Sequence, residues 1–268
     1  VFDGSNNGDD VYSYKEKFPE WSYDDPWIYD IAISADGEYI VAGTWGDDHA
    51  VHLFDKDSST PLWSYDGGAV SVSISADGES IVAGMGDGTV YLFDKDSSTP
   101  LWSYDTGYDL VSSVSISADG EYIAAGTKDE ESTTGGKVYL FGKGSSTPLW
   151  SYGTGNVQSS DGVAISADGE YITVGNSNDD VYLFDKGSST PLWSYDVGGT
   201  VHVTISADGE YIAAGPADGE VYIFNKSSST PLWSYETGGQ IRTVDISADG
   251  EYLVVGSYDD NVYLFGKD

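Results

Sequence analysis

The sequence predicts an all-β chain folded as a β-propeller of four-stranded blades, and three observations carry that prediction. First, SADG occurs six times, with its aspartates at Asp36, Asp77, Asp119, Asp168, Asp208 and Asp249, spaced by 41, 42, 49, 40 and 41 residues. Second, each copy is followed by the same order of short apolar stretches: an EYIVAG type (Glu38–Gly43), a VYLF type, and in all but the last copy PLWSY. Third, DKDSSTPLWSYD stands unchanged at Asp55–Asp66 and Asp94–Asp105, with close copies at Gly142–Gly153, Asp185–Asp196 and Asn225–Glu236. A fixed period of about forty residues built from short β-type stretches is the mark of stacked β-units.

Each unit reads as four strands. Strand A is VSVSI (Val70–Ile74), B is SIVAG (Ser80–Gly84), C is VYLFD (Val90–Asp94) and D is LWSYD (Leu101–Asp105). All four are β-branched or aromatic and are separated by Gly, Asp, Ser or Pro. ADGE is the tight turn joining A to B. In C, Val and Leu point one way and Tyr and Phe the other; in D, Trp and Tyr share a face. A sheet apolar on both faces must be covered on both, which blades arranged about an axis achieve.

VYLFDKDSSTPLWSYDTGY (Val90–Tyr108) resembles the repeat of PQQ-like propellers, in which an aspartate-bearing turn leads into a Leu-Trp strand. SADGEYIAAG resembles the WD-repeat and related surface-protein propellers. The resemblance covers nearly the whole chain and implies a fold rather than an activity. PQQ-dependent dehydrogenases hold their quinone with calcium, basic side chains and often an adjacent-cysteine disulfide. This chain has no cysteine and a single arginine, Arg242, and fewer blades than the eight of those enzymes. The resemblance does not reach their cofactor site.

Six blades are expected, with seven as the alternative. In sequence order the units run D-A-B-C, from EWSYD (Glu20–Asp24) to VYLFG (Val262–Gly266). Pairing of the N-terminal strand with the last blade is expected to close the ring, which removes free sheet edges and ties down the termini. Residues 1–17 are set apart as an extra strand or partial repeat, because DDVYSYKEK (Asp9–Lys17) reads as another strand C; residues 18–268 form the propeller. The chain starts with Val1, and a processed chain or a fragment is the expectation drawn from that.

Loop lengths separate the two rims. From the Phe of C to the Trp of D is always nine positions, and from the SADG aspartate to the first apolar residue of B is always four. The B–C and D–A connections vary: Ile40 to Phe54 is 14, Ile123 to Phe141 is 18 and the others are 12. In a meander these variable loops share one rim, and loops on a rigid scaffold are where function concentrates. That rim carries Trp27, Tyr29, Trp45, His49, Arg242 and Tyr258, which share a sector if the ring closes. Aromatic platforms beside carboxylates and one guanidinium suit a sugar or a peptide side chain. The competing reading is that these aromatics plug the channel mouth or staple the seam. Near the axis, strand A is expected to present Asp30, Ser71, Ser113, His202 and Thr243 as a channel lining.

Charge narrows the partners. Asp plus Glu is 45 and Lys plus Arg is 11, for a net charge of −34. That field repels nucleic acid and anionic membrane surfaces and favours cationic partners. No apolar run reaches the length of a membrane helix, and no signal-peptide pattern is visible. His49, His52 and His202 lack zinc spacing, and the acidic B–C loops lack the EF-hand pattern. No cofactor and no resident metal are expected, with structural calcium the one ion left open. His202 and Asp161 could be drawn into a triad with many serines, but nothing selects such a set. Three functions are therefore weighed. The first is a non-catalytic binding or scaffold propeller, extracellular or at the cell surface, that contacts a protein or glycan through the B–C and D–A loops. The second is a self-assembling structural subunit of a larger surface assembly. The third is a PQQ-like or sugar-acting enzyme.

Overall fold

A computed structural model of the chain describes residues 18–25, 27–45, 50–132, 135–157 and 161–266. They form six antiparallel sheets, each a meander in chain order, and no helix occurs among the described residues. Blade I holds β1 (Ile28–Ile33), β2 (Tyr39–Thr44), β3 (Ala50–Asp55) and β4 (Trp63–Asp66). Blade II holds β5 (Ala69–Ile74), β6 (Ser80–Met85), β7 (Thr89–Asp94) and β8 (Trp102–Asp105). Blade III holds β9 (Leu110–Ile116), β10 (Tyr122–Lys128), β11 (Lys137–Gly142) and β12 (Trp150–Gly153). Blade IV holds β13 (Val163–Ile165), β14 (Tyr171–Gly175), β15 (Asp180–Asp185) and β16 (Trp193–Asp196). Blade V holds β17 (Val201–Ile205), β18 (Tyr211–Pro216), β19 (Glu220–Asn225) and β20 (Trp233–Glu236). Blade VI holds only β21 (Ile241–Ile246), β22 (Tyr252–Ser257) and β23 (Val262–Gly266). The first strand of each sheet corresponds to A, and so on outward.

The SADG turn explains its own repetition. In all six copies the serine hydroxyl donates to the aspartate two residues on, at 2.6–2.7 Å. The same aspartate accepts from the backbone N–H of the following glutamate. Glycine is required between them because the backbone is left-handed there, as at Gly37 with φ of 74°.

Neighbouring blades are joined by three recurring contacts. At the A–B turns an alanine N–H donates to the next blade's alanine carbonyl, from Ala35 to Ala76 and onward through Ala118, Ala167 and Ala207 to Ala248. At the outer strand a tryptophan packs at a tilt against the next blade's phenylalanine, and in blades I to IV its indole donates to a lysine carbonyl there. Trp63, for example, lies 5.4 Å from Phe93 and 2.7 Å from the Lys95 oxygen. Between the two, apolar clusters span each junction. Val41, Val51 and Leu53 of blade I pack with Val72, Ile74, Ile81 and Phe93 of blade II. The expected facing of C and D is thus realised, and the core lies between blades rather than within any one.

Pairing of the N-terminal strand with the last blade is not seen among the described residues. Blade VI has three strands, and residues 18–25 pair with no strand among the described residues. Trp21 instead takes only the second half of a D strand's role: it stacks on Phe54 at 5.4 Å and donates to the Lys56 carbonyl at 2.6 Å. The alanine belt ends at Ala248 without reaching Ala35 among the described residues. Val262 and Leu264 on one side of the seam, and Ile31 and Ile33 on the other, remain exposed. The extra strand expected within residues 1–17 lies outside the described residues.

Candidate functional site

The rim of A–B and C–D turns spends its polar groups on itself, in the Ser–Asp turns and the alanine belt. The opposite rim carries exposed Trp27, Tyr29, Trp45 and Tyr258, while Tyr252 is exposed beside the A–B turn of blade VI. Trp27 and Tyr29 enter β1 from the loop before it, and Trp45 leaves β2; all three are exposed. They are held together: the Trp45 N–H donates to the Trp27 carbonyl at 2.8 Å, and the Tyr29 and Trp45 rings lie 6.4 Å apart.

Trp45 also reaches across to blade II, where its six-membered ring lies over Gly68 and Gly86. A Cβ at Gly86 would fall 1.9 Å from the ring, and one at Gly68 would fall 2.7 Å from it. Beside it opens a cavity of about 220 Å³ lined by Trp45, Tyr65, Gly67, Met85, Asp87 and Tyr91. Hydrogen bonding with Tyr65, reinforced by burial, pushes the Tyr91 phenol above the ordinary tyrosine range. The cavity thus has aromatic walls, an apolar floor at Met85 and a carboxylate at its edge.

Arg242 and Tyr258 form a second group on blade VI, with the guanidinium 4.9 Å from the ring centre. The open seam separates this group from the aromatics of blade I, and no described contact joins them. His49 lies outside the described residues. His52, three positions on, occupies the place where the other five blades carry tyrosine in strand C. It is buried, shares a 2.7 Å hydrogen bond with Ser64 Oγ and has Nε2 3.7 Å from Asp25.

The axis holds a cavity of about 360 Å³, whose wall includes Asp30, Asp161, Asp245 and Thr243. Asp30 is also a latch, since its Oδ2 accepts from Val72 N–H of the next blade at 2.8 Å. Ser71 and Ser113 make the same latch to Val114 and Val163, at 3.1 and 3.0 Å, and are buried between strands rather than placed on the cavity wall. His202 is buried, with Nδ1 3.7 Å from Asp161. Thr243 donates to the same carboxylate across the channel at 3.3 Å. Burial pushes the Asp30 carboxyl up, against the hydrogen bonds it accepts, and Asp161 adds to the rise. Desolvation by the surrounding channel wall raises Asp245 too, although its side chain stays exposed, and Asp161 adds to the rise. Asp161 precedes β13 and Asp30 and Thr243 stand in the first half of their A strands, on the side of the variable rim, whereas Asp245 is next to the last residue of β21 and lies deeper, toward the A–B turns. Asp245 and Asp161 were not placed in the channel from the sequence. A signal for Asp245 existed: it stands where other copies carry Ser73, Ser115, Ala164 or Thr204.

Among the described residues no three His, Asp or Glu side chains are grouped to hold a metal ion. The arrangement offers instead an acidic well beside an aromatic shelf, which suits a cationic or amphipathic group.

Residues 27–140 and 134–267 both match the protein family described as outer membrane protein assembly factor BamB. No curated protein matches the chain. Among solved structures, a chain of the "Crystal Structure of Mitotic Checkpoint Complex" is similar with a TM-score of 0.71 and 17% identity, covering 88% of this chain and 76% of that one. Likeness at that identity carries the architecture alone.

Proposed function

Since the chain belongs to the family described as outer membrane protein assembly factor BamB, we propose that it is a non-catalytic binding propeller whose B–C and D–A rim receives a basic segment of a protein partner. The observation that carries this reading is the convergence of Asp30, Asp161 and Asp245 on the channel wall, below a rim that also bears Trp27, Tyr29 and Trp45. A lysine or arginine side chain entering the well meets carboxylates, while its stem and neighbours lie on aromatic surface. The net charge of −34 draws such a partner in from a distance. The opposite rim, with its hydrogen bonds consumed by the scaffold, serves as support. The family's description and the strongly acidic surface both favour a location outside the cytoplasm, at the cell surface or secreted.

A second reading rests on the cavity beside Trp45. Two tyrosines, one tryptophan and a carboxylate are also the chemistry of a sugar-ring platform. Calorimetric titration with short lysine- and arginine-rich peptides, alongside neutral oligosaccharides, separates the two. The peptide reading expects binding that weakens with added salt and with Asp245→Asn. Salt-insensitive oligosaccharide binding lost in Trp45→Ala would replace it with the glycan reading, and binding of neither would remove both.

A further inference from the structure

The seam between blades VI and I presents an interaction surface whose chemistry is written five times elsewhere in the chain. In blades I to V the C strand is followed by an outer strand in fixed register. Leu53 stands opposite Trp63, Leu92 opposite Trp102, Leu140 opposite Trp150, Leu183 opposite Trp193 and Ile223 opposite Trp233. Two residues along, a valine of C stands opposite a tyrosine of the outer strand, as Val51 does Tyr65. Blade VI carries the same C-strand residues, Val262 and Leu264, with nothing opposite them among the described residues. Val51 and Leu53 are 0% exposed, covered by their outer strand and by blade II, whereas Val262 is 77% and Leu264 is 69% exposed, with neither an outer strand nor a packed blade over them among the described residues.

The chain's own candidate for this place is held elsewhere. Trp21 and Tyr23 lie against Phe54 of blade I, at 5.4 and 5.0 Å, and residues 18–25 make no ladder with β23. We infer that the outer edge of β23 is an acceptor for one strand of a separate polypeptide, an extended segment of Leu-Trp-Ser-Tyr character. Its backbone continues the sheet, as in recognition by strand addition. Its Trp and Tyr lie beside Leu264 and Val262 in the register of the five internal junctions. The site is continuous with an interface the molecule already uses, and an unpaired apolar edge of this kind is otherwise an aggregation hazard. This surface is distinct from the variable rim, so the inference stands apart from the function proposed above.

The test uses the whole chain and a synthetic peptide with the sequence of Ser97–Asp105, SSTPLWSYD. The expected result is a monomeric protein that binds one peptide. Hydrogen-exchange protection should appear on Val262–Gly266 and not on the complete blades. Binding should be lost when the peptide tryptophan becomes alanine and when the protein carries Leu264→Asp. Because Leu264 is already exposed, that variant is expected to keep its fold, which its circular dichroism and unfolding midpoint check. The inference is overturned if the peptide does not bind, or if it binds equally well to Leu264→Asp. It is also overturned if β23 amides of the free protein are already as protected as those of β3, because the ring would then be closed by the chain itself. Self-association through this edge, abolished by Leu264→Asp, would give the site to a second copy and overturn it as well.

Discussion

The Trp21 indole donates to the Lys56 carbonyl at 2.6 Å, the contact that Trp63 makes to Lys95 one blade further on. Trp21 therefore holds residues 18–25 on blade I through a side chain and not through a strand ladder. Removing it with Trp21→Ala loses the indole hydrogen bond and the stack on Phe54. The expected cost is about 2 kcal/mol, below the usual range for a fully buried tryptophan because Trp21 is half-exposed. Hydrogen exchange should show it as faster opening of Ala50–Asp55, with blades III to V unchanged.

The strands were legible in the sequence because one period recurs six times and each copy checks the others. The alternation of Val-Tyr-Leu-Phe told which residues face which neighbour, and the structure keeps that facing. Closure was not legible. Whether EWSYD pairs with VYLFG depends on the curvature that successive blades accumulate, and no residue pattern encodes that angle. The site was legible in part. Loop-length variation placed Trp27, Tyr29 and Trp45 on one rim, and the structure has them side by side, but Arg242 and Tyr258 were joined to them only by the assumed closure. Ser71 and Ser113 looked like channel residues because small polar groups on an inner strand have two uses, and here they serve as latches to the next blade.

The seam can be probed from inside the chain with two glycines. A Cβ at Gly215 would fall 2.6 Å from both Ile241 and Val244 of the next blade, whereas at Gly256 the nearest atom is Thr243 Cγ2 at 3.3 Å. Gly215→Ala is expected to destabilise by roughly 1–3 kcal/mol through overpacking. Gly256→Ala is expected to stay within about 0.5 kcal/mol of the parent, the mild crowding against Thr243 being offset by the backbone entropy that alanine spares in a strand. Urea midpoints of the two variants give the comparison, and equal losses would mean that blade VI has a neighbour.

His52 makes blade I sensitive to mild acid. Burial lowers its basicity below the ordinary value of 6.5, and Asp25 only partly opposes this. A histidine with a lowered native value favours folding while neutral. That contribution is complete above 6.5 and is lost as the pH falls through the native value. Exchange protection of Ala50–Asp55 should therefore drop on mild acidification, and His52→Tyr, which restores the residue of the other blades, should flatten the dependence.

Asp245 acts in the opposite sense. Its carboxyl is raised above the ordinary 3.8 by desolvation against the channel wall and by Asp161, an effect that solvent at the exposed side chain keeps small. The native state therefore disfavours its charge, and stability declines as the pH rises from about 4 through the raised value. Asp245→Asn should be more stable than the parent at neutral pH and indistinguishable from it below that range. Thermal unfolding across the pH series checks this, and a parent-like melting temperature at neutral pH would show that the channel tolerates the charge at no cost.

The alanine belt has a consequence for how such a chain changes over generations. Ala35 to Ala76, Ala118 to Ala167 and the others are the same bond made between neighbours that differ little. A whole unit removed from or inserted into the middle meets, on either side, partners equivalent to those it replaces. Recombination between near-identical coding repeats can therefore alter the copy number in single steps without creating a foreign junction. What changes is the angular width left between the first blade and the last, so the dimensions of the seam become a heritable variable set by counting.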